Sequence, residues 1–347
     1  MRRVIGALIV LTAPAAVRAQ EPVSLQHKFT LGQEAAYRLT ATGLASIESD
    51  APPGMGLPGG DLQLDIDVEF TERVEALGEG WAELAVQLQQ ASLSAFLLAG
   101  AFQVELQARL PEGDVEVLIN GQPAPQEEEP NDIEPLLALA GMPLLVRTDA
   151  TGRVVRLPQL DLLAVLSPLL DFQTMQADST GFLPSQPVSV GDAWQQRQAL
   201  PLALPTPDGT EQREVVADYV LKELTQVDGR DVARIGMNGK FALGDMRRFR
   251  WPGQPEPKPK EGEEEKEPAG LESLDTEVSG DIYFDWREGL VAGAELAVSA
   301  NLSFSEWKKP KEQPGDRPQE TEEPVPRVLI HTALKNVELT VMLERVW

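Results

Sequence analysis

The residues able to do chemistry are few and scattered. Only two histidines occur, His27 and His331, at opposite ends of the chain. Neither has a second ligand at metal spacing, whereas zinc sites draw on three or four. Ser305-Glu306-Trp307-Lys308 matches a Ser-x-x-Lys pattern by letter. It ends a strand instead of opening a helix, and its companion motifs are absent. The glycines of Gly54-Met55-Gly56-Leu57-Pro58-Gly59-Gly60 lack the following helix and lysine of a phosphate loop, and neither a Gly-x-Ser-x-Gly elbow nor a dinucleotide fingerprint is present. Asp65, Asp67 and Glu69 share one side of a strand. They could offer calcium several oxygens, but a solvated strand face accounts for them equally well. A glycosidase needs only two carboxylates at a set separation, and among 55 acidic residues no pair stands out. The expectation is a protein without a catalytic site, a metal or a cofactor.

The strands that would position any site are plainer. Over residues 276–304, Val278, Gly280, Ile282, Phe284 and Trp286 alternate with polar neighbours. After the turn at Arg287-Glu288-Gly289-Leu290 the alternation resumes through Ala292, Ala294, Leu296, Val298, Ala300, Leu302 and Phe304. Period two at this length predicts a half-buried antiparallel ribbon. A slip of one residue would carry Ile282, Phe284 and Trp286 into water at roughly 1.5–3 kcal/mol each, so the register is well specified. A similar pair of strands is predicted from Leu62, Leu64, Ile66, Val68 and Phe70, through Gly78-Glu79-Gly80, to Ala82, Leu84, Val86 and Leu88. Asp228-Gly229 marks another hairpin.

The chain opens with Arg2 and Arg3, the apolar run Val4–Ala13 and the small residues around Ala19, which reads as a secretory signal over 1–19. Cysteine is absent, so disulfides and thiol chemistry are excluded. A formal charge of −25 repels nucleic acid, whose binding needs clustered Lys and Arg. The expected organisation is a β-meander half over 20–143, a hairpin and helix over 144–186, and a second β-meander half over 187–347. The helix is expected from Leu160, Leu162, Leu163, Val165, Leu166, Leu169, Leu170 and Phe172, with a kink at Pro168. Another short helical turn is expected over Leu136–Met142. Ser49–Gly60, Gln122–Asp132 and especially 252–270 and 308–326 are rich in Pro, Gly and charge, and are expected to be long disordered loops gathered at one end of the sheet. The whole reads as mainly β, a curved antiparallel sheet or half-barrel with a covering helix.

Leu31-Gly32-Gln33 with Tyr37, and Pro187-Val188-Ser189-Val190-Gly191-Asp192-Ala193-Trp194, resemble the recurring marks of a family of secreted bacterial proteins described only as a domain of unknown function. The Gly-Asp-x-Trp signature implies a turn into an aromatic-anchored strand and no chemistry. The pattern is also similar, at the level of fold alone, to the half-barrels of periplasmic lipoprotein carriers.

Strand positions predict core packing for Trp81, Trp194, Trp286 and Trp347; grouped round a cavity, they would suit an apolar ligand. The expected function is that of a non-catalytic secreted envelope protein, periplasmic or envelope-associated, with no transmembrane helix in the mature chain. An apolar ligand or lipid would lie between sheet and helix, in a groove lined by Leu163, Leu166, Leu170, Ile282, Phe284, Trp286, Leu296 and Val298. An envelope protein is the other candidate partner. The alternatives are an outer-membrane β-barrel, for which the alternation Val337, Leu339, Val341, Leu343 and the terminal Trp347 speak, and an interaction protein without a small ligand. Arg345 on the apolar face counts against the barrel.

Overall fold

A computed structural model describes residues 21–51, 59–100, 102–110, 114–123, 142–156, 181–199, 204–206, 209–211, 214–227, 229–243, 270–308 and 328–346. The first half of the chain contributes β1 (Glu34–Ser49), β2 (Gly60–Gly78), β3 (Trp81–Ala99), β4 (Phe102–Leu110), β5 (Asp114–Ile119), β6 (Gln122–Pro123), β7 (Leu144–Thr148) and β8 (Val154–Arg156). The second contributes β9 (Ala193–Ala199), the small pair β10 (Leu204–Thr206) and β11 (Gly209–Glu211), then β12 (Glu214–Val227), β13 (Arg230–Leu243), β14 (Gly270–Asp285), β15 (Leu290–Lys308) and β16 (Val328–Val346).

Fourteen of these strands form one antiparallel sheet, in the order β6-β5-β4-β3-β2-β1-β16-β15-β14-β13-β12-β9, with β7 and β8 branching from β3. The first meander grows outward from β1 and the second arrives at β16, and these two strands meet in the middle. The edges β6 and β9 do not pair, so the sheet is not closed into a barrel. Among the described residues there is no helix, and none long and apolar enough to cross a membrane. The covering helix expected over Leu160–Phe172, the turn expected over 136–141, the leader, Trp347 and the loops within 253–269 and 309–327 lie outside the described residues.

The register carries one apolar face across the sheet. Val104 faces Leu97, Leu62 faces both Leu97 and Ala45, and Leu64, Ile66 and Val68 of β2 face Gly43, Ala41 and Leu39 of β1. These β1 residues in turn face Leu339, Val341 and Leu343, which face Val298, Leu296 and Ala294. Val278, Gly280 and Ile282 extend the face to Gly239, Met237 and Ile235. The other face is polar, with Arg38 paired to Asp67 at 2.5 Å and Asp281 held by Lys222 and Arg234. The longest strands have 19 residues, about 60 Å at the rise of an extended chain. Bulges interrupt the ladder after Leu44, Val74, Leu221 and Ala300, and each such insertion bends and twists its strand locally.

The two ends of the sheet differ. Ser49, Leu243 and Lys308 bring β1, β13 and β15 to one end. The tight turns at Gly80, Gly229 and Gly289 occupy the other, the base. There the segment from Pro22 to Thr30, the β7–β8 turn and the stretch Gly181–Val188 pack onto the sheet. Leu25, Leu183, Leu221, Ile235 and Phe284 are fully buried at this end, and they form the centre of the core. One expectation about the ribbon is corrected. β14 stops at Asp285, so Trp286 belongs to the turn and not to the strand. The cause is local: the buried Asp285 carboxylate accepts the N–H groups of Arg287 (3.0 Å) and Glu288 (2.8 Å), which curls the chain before Trp286 can continue the ladder.

The entries into β1 and β9 are built alike. Gly32 N–H donates to Val74 O (2.9 Å) and Val74 N–H returns to Gln33 O. Gly191 N–H donates to Leu221 O (2.8 Å) and Leu221 N–H returns to Asp192 O. The side chains of Gln33 and Asp192 then accept the N–H groups of Thr30 and Ser189. In both copies a bulge follows at once, after Val74 and after Leu221. Gly32 and Gly191 have φ of +77° and +96°, a region in which a side chain would be strained.

Candidate functional site

Toward the base, the apolar face ends in a cavity of about 270 Å³. Its floor is the sheet. Phe70, Glu72 and Val74 of β2 lie beside Ala35 and Tyr37 of β1, with Leu84 and Val86 of β3 on the far side. Its cover comes from His27 and Phe29 of the N-terminal segment, Gly152 and Val154 of the β7–β8 hairpin, and Phe182. Aromatic contacts hold the cover in place: His27 stacks on Phe29 at 5.5 Å and meets Phe182 and Phe284 edge-on. Below it Tyr37 stacks on Phe70.

His27 ties this cover to both halves of the chain. Its backbone N–H donates to Ala150 O (2.8 Å) in the β7–β8 turn, and its ring Nδ1–H donates to Gly289 O (3.0 Å) in the β14–β15 turn. Burial lowers the His27 pKa below the ordinary range, against the upward pull of the Gly289 bond. The ring is therefore neutral at physiological pH, with its proton on Nδ1 and a lone pair on Nε2.

Glu72 is the unusual member of the site. It occupies the apolar phase of β2, after Leu62, Leu64, Ile66, Val68 and Phe70 and before Val74. Burial alone pushes its pKa up to about 7, because a carboxylate in apolar surroundings loses its hydration without compensation. Burial likewise raises the Tyr37 hydroxyl, and the nearby Glu72 charge adds to the rise. The cavity thus combines apolar walls with a small set of polar groups, as ligand sites ordinarily do. Among the described residues no cluster of three metal-ligating side chains occurs.

The residues expected to line a groove are spread apart. Leu163, Leu166 and Leu170 lie outside the described residues. Ile282, Leu296 and Val298 share the apolar face and are half-buried. Phe284 is fully buried in the core at the base, and half-buried Trp286 carries the Arg287 guanidinium over its ring at 4.4 Å. Trp81 is covered in the same way by Arg147, and Trp194 stacks on Tyr219 and donates to Phe182 O. Sequence reasoning missed Glu72 as a site residue. Its signal was visible, a lone charge on the buried phase of an otherwise apolar alternation. His27 and Gln33 had no comparable signal, since only the tertiary fold brings them to the cavity.

A second cavity of about 460 Å³ opens where the first residues of β15 leave β16. It is bounded by Arg230, Glu295, Glu344 and Arg345, and Glu288 ties the two arginines together.

No family model and no curated protein matches the chain. Among solved structures, one of lipovitellin concerned with lipid–protein interactions is similar over 92% of this chain, at 11% identity and a TM-score of 0.37. The chain spans only 26% of that protein. OpdL of Pseudomonas aeruginosa covers 91% of this chain and 99% of its own length at 8% identity, with a TM-score of 0.18. Both likenesses are too distant to bear on function.

Proposed function

We propose that the chain is a non-catalytic secreted envelope protein that holds an apolar ligand of lipid type against the apolar face of its sheet. The observation that carries this reading is the face itself. Leu62, Leu64, Ile66, Leu93, Leu296, Val298, Leu339 and Val341 form one surface across the central strands, and each is half-buried, neither closed into a core nor fully in water. Contiguous apolar surface of this kind marks an interaction surface, and here it runs into a cavity at the base. The bulged central strands suit a sheet that curves round its ligand as a half-barrel. The leader-like start and the absence of cysteine suit export.

Native mass spectrometry of the full chain, expressed with its leader and purified without detergent, tests the proposal. The expected result is excess mass that organic solvent releases as lipid. A protein at bare mass that also takes up no added lipid would overturn the reading in favour of an interaction protein.

A further inference from the structure

We infer that the basal cavity is the seat of a neutral hydroxyl head group, so that the ligand is a long-chain alcohol or another hydroxyl-ended apolar molecule and not a fatty acid. The inference rests on the proposed apolar ligand and adds the chemistry of its polar end.

The donors and acceptors of the cavity wall select the head group. The Gly289 carbonyl can only accept, so the proton of the neutral His27 ring sits on Nδ1 and Nε2 is left as an acceptor. Nε2 faces Gly152, a wall of the cavity, so closely that a Cβ there would lie 3.2 Å away. Glu72, ionised above the pKa of about 7 to which burial raises it, supplies a second acceptor, and Thr148, whose hydroxyl already donates to Arg153 O at 3.1 Å, supplies a third. The position of Glu72 opposite Ala35 puts it diagonally across from Tyr37 on the same face, and the Tyr37 hydroxyl can donate or accept. Gln33 lines the cavity too. Its Oε1 already accepts the Thr30 N–H at 2.9 Å, which leaves its amide N–H groups as donors.

Above pH 7 the wall therefore offers three acceptors, one donor group and one group able to do either. A hydroxyl, which donates once and accepts, complements that set. At that pH a carboxylate would face the Glu72 charge and could use only the donors, while a head with no donor would leave the acceptors buried and unmet. The cavity is small, about 270 Å³, below the usual range of about 300–1,000 Å³ for sites that enclose a whole ligand. It can take the head and the first carbons, and the remaining chain would continue along Phe70, Val68 and Leu39 on the open face.

Isothermal titration of the delipidated full chain at pH 8 with 1-decanol, decanoate and decyl methyl ether tests this. The alcohol is expected to bind about tenfold more tightly than the other two. Glu72→Leu should remove most of that preference while leaving the ether unchanged. Tyr37→Phe keeps the ring stacked on Phe70 and loses only the hydroxyl, so it should weaken the alcohol by about threefold. Equal binding of all three probes, or a preference untouched by both variants, would overturn the hydroxyl assignment and leave the apolar ligand standing. Binding of none of them to a chain whose circular dichroism shows intact β structure would overturn both.

Discussion

His27 and Gly289 stand 262 residues apart in sequence and are joined by a 3.0 Å hydrogen bond from imidazole to carbonyl. Lys28 strengthens the same junction, its ammonium donating to Trp286 O (3.1 Å) and Arg287 O (3.0 Å). Because His27 also bonds Ala150 through its backbone, the N-terminal segment clasps the β7–β8 and β14–β15 turns together. Among the described residues the two meanders pair strand to strand at β1 and β16, and this clasp joins them again at the base, beside the backbone bridge between Val23 and Val188. The clasp also roofs the cavity.

His27→Ala removes the ring from among three aromatic side chains and leaves the Gly289 carbonyl without its donor. A loss of roughly 2–4 kcal/mol in urea unfolding is expected. The pH dependence has a definite sign. The folded-state pKa lies below the unfolded value of about 6.5, so the unfolded chain binds the proton more tightly. The His27 contribution is complete above pH 6.5 and is lost as pH falls below it. Stability measured from pH 7.5 down to 5.5 should therefore decline less steeply in His27→Phe than in the wild type.

Glu72 works in the opposite direction. Its folded-state pKa of about 7 lies above the ordinary 4.5, so the folded chain binds this proton more tightly. The contribution is fully present below pH 4.5 and is lost as pH rises through 7. Above that, ionisation in the cavity costs roughly 3 kcal/mol. Glu72→Gln should thus be more stable than the wild type at pH 8 by about that amount and nearly equal to it at pH 4.5. Parallel stability curves for the two proteins would show that the carboxyl ionises at an ordinary pH.

Much of this architecture was legible in local sequence because period-two alternation is a local property. The runs Leu62–Phe70 and Ala292–Phe304 identify the apolar face directly, and the turns at Gly80 and Gly229 follow from their glycines. Trp286 was misplaced because it continues the alternation by letter, while the Asp285 carboxylate, by capturing Arg287 and Glu288, ends the strand one residue earlier. The cavity was not legible. Its cover is assembled from residues 27–29, 152–154 and 182, and no local pattern records that those three segments meet. Glu72 could have been noticed as a charge out of phase, but its consequence depends on that cover.

Phe284 and Trp286 provide a contrast within one short stretch. Phe284 is at 0% exposure in the centre of the base core, so Phe284→Ala should cost about 3–5 kcal/mol. Trp286 is half-buried in a turn and shares its ring with the Arg287 guanidinium, so Trp286→Ala should cost about 1–1.5 kcal/mol. Chemical denaturation of the two variants checks the order. Equal losses would mean that Trp286, which packs half-buried against this core, contributes to it as fully as Phe284.

The β7–β8 and β14–β15 turns each begin with an aspartate whose side chain accepts backbone N–H groups, and each ends with a glycine at positive φ. Asp149 accepts from Thr151 (2.8 Å) and Arg153 (3.1 Å) before Gly152, and Asp285 accepts from Arg287 and Glu288 before Gly289. The preceding residues, Thr148 and Phe284, face Ala82 and Ala233 on the neighbouring strands, and both alanines are at 0% exposure. The motifs match, but their burial does not. The Asp149 side chain is 27% exposed and that of Asp285 is 2% exposed. Water can replace the carboxylate at the first turn and much less readily at the second. Asp149→Ala should therefore cost about 1 kcal/mol and Asp285→Ala about 2–4 kcal/mol, since removing Asp285 leaves two N–H groups with little access to solvent. The Asp285 variant should also loosen Gly289 and with it the His27 bond. Hydrogen exchange at the 23–30 backbone should accelerate in Asp285→Ala and stay near wild type in Asp149→Ala. The reverse order would place the clasp on the first turn.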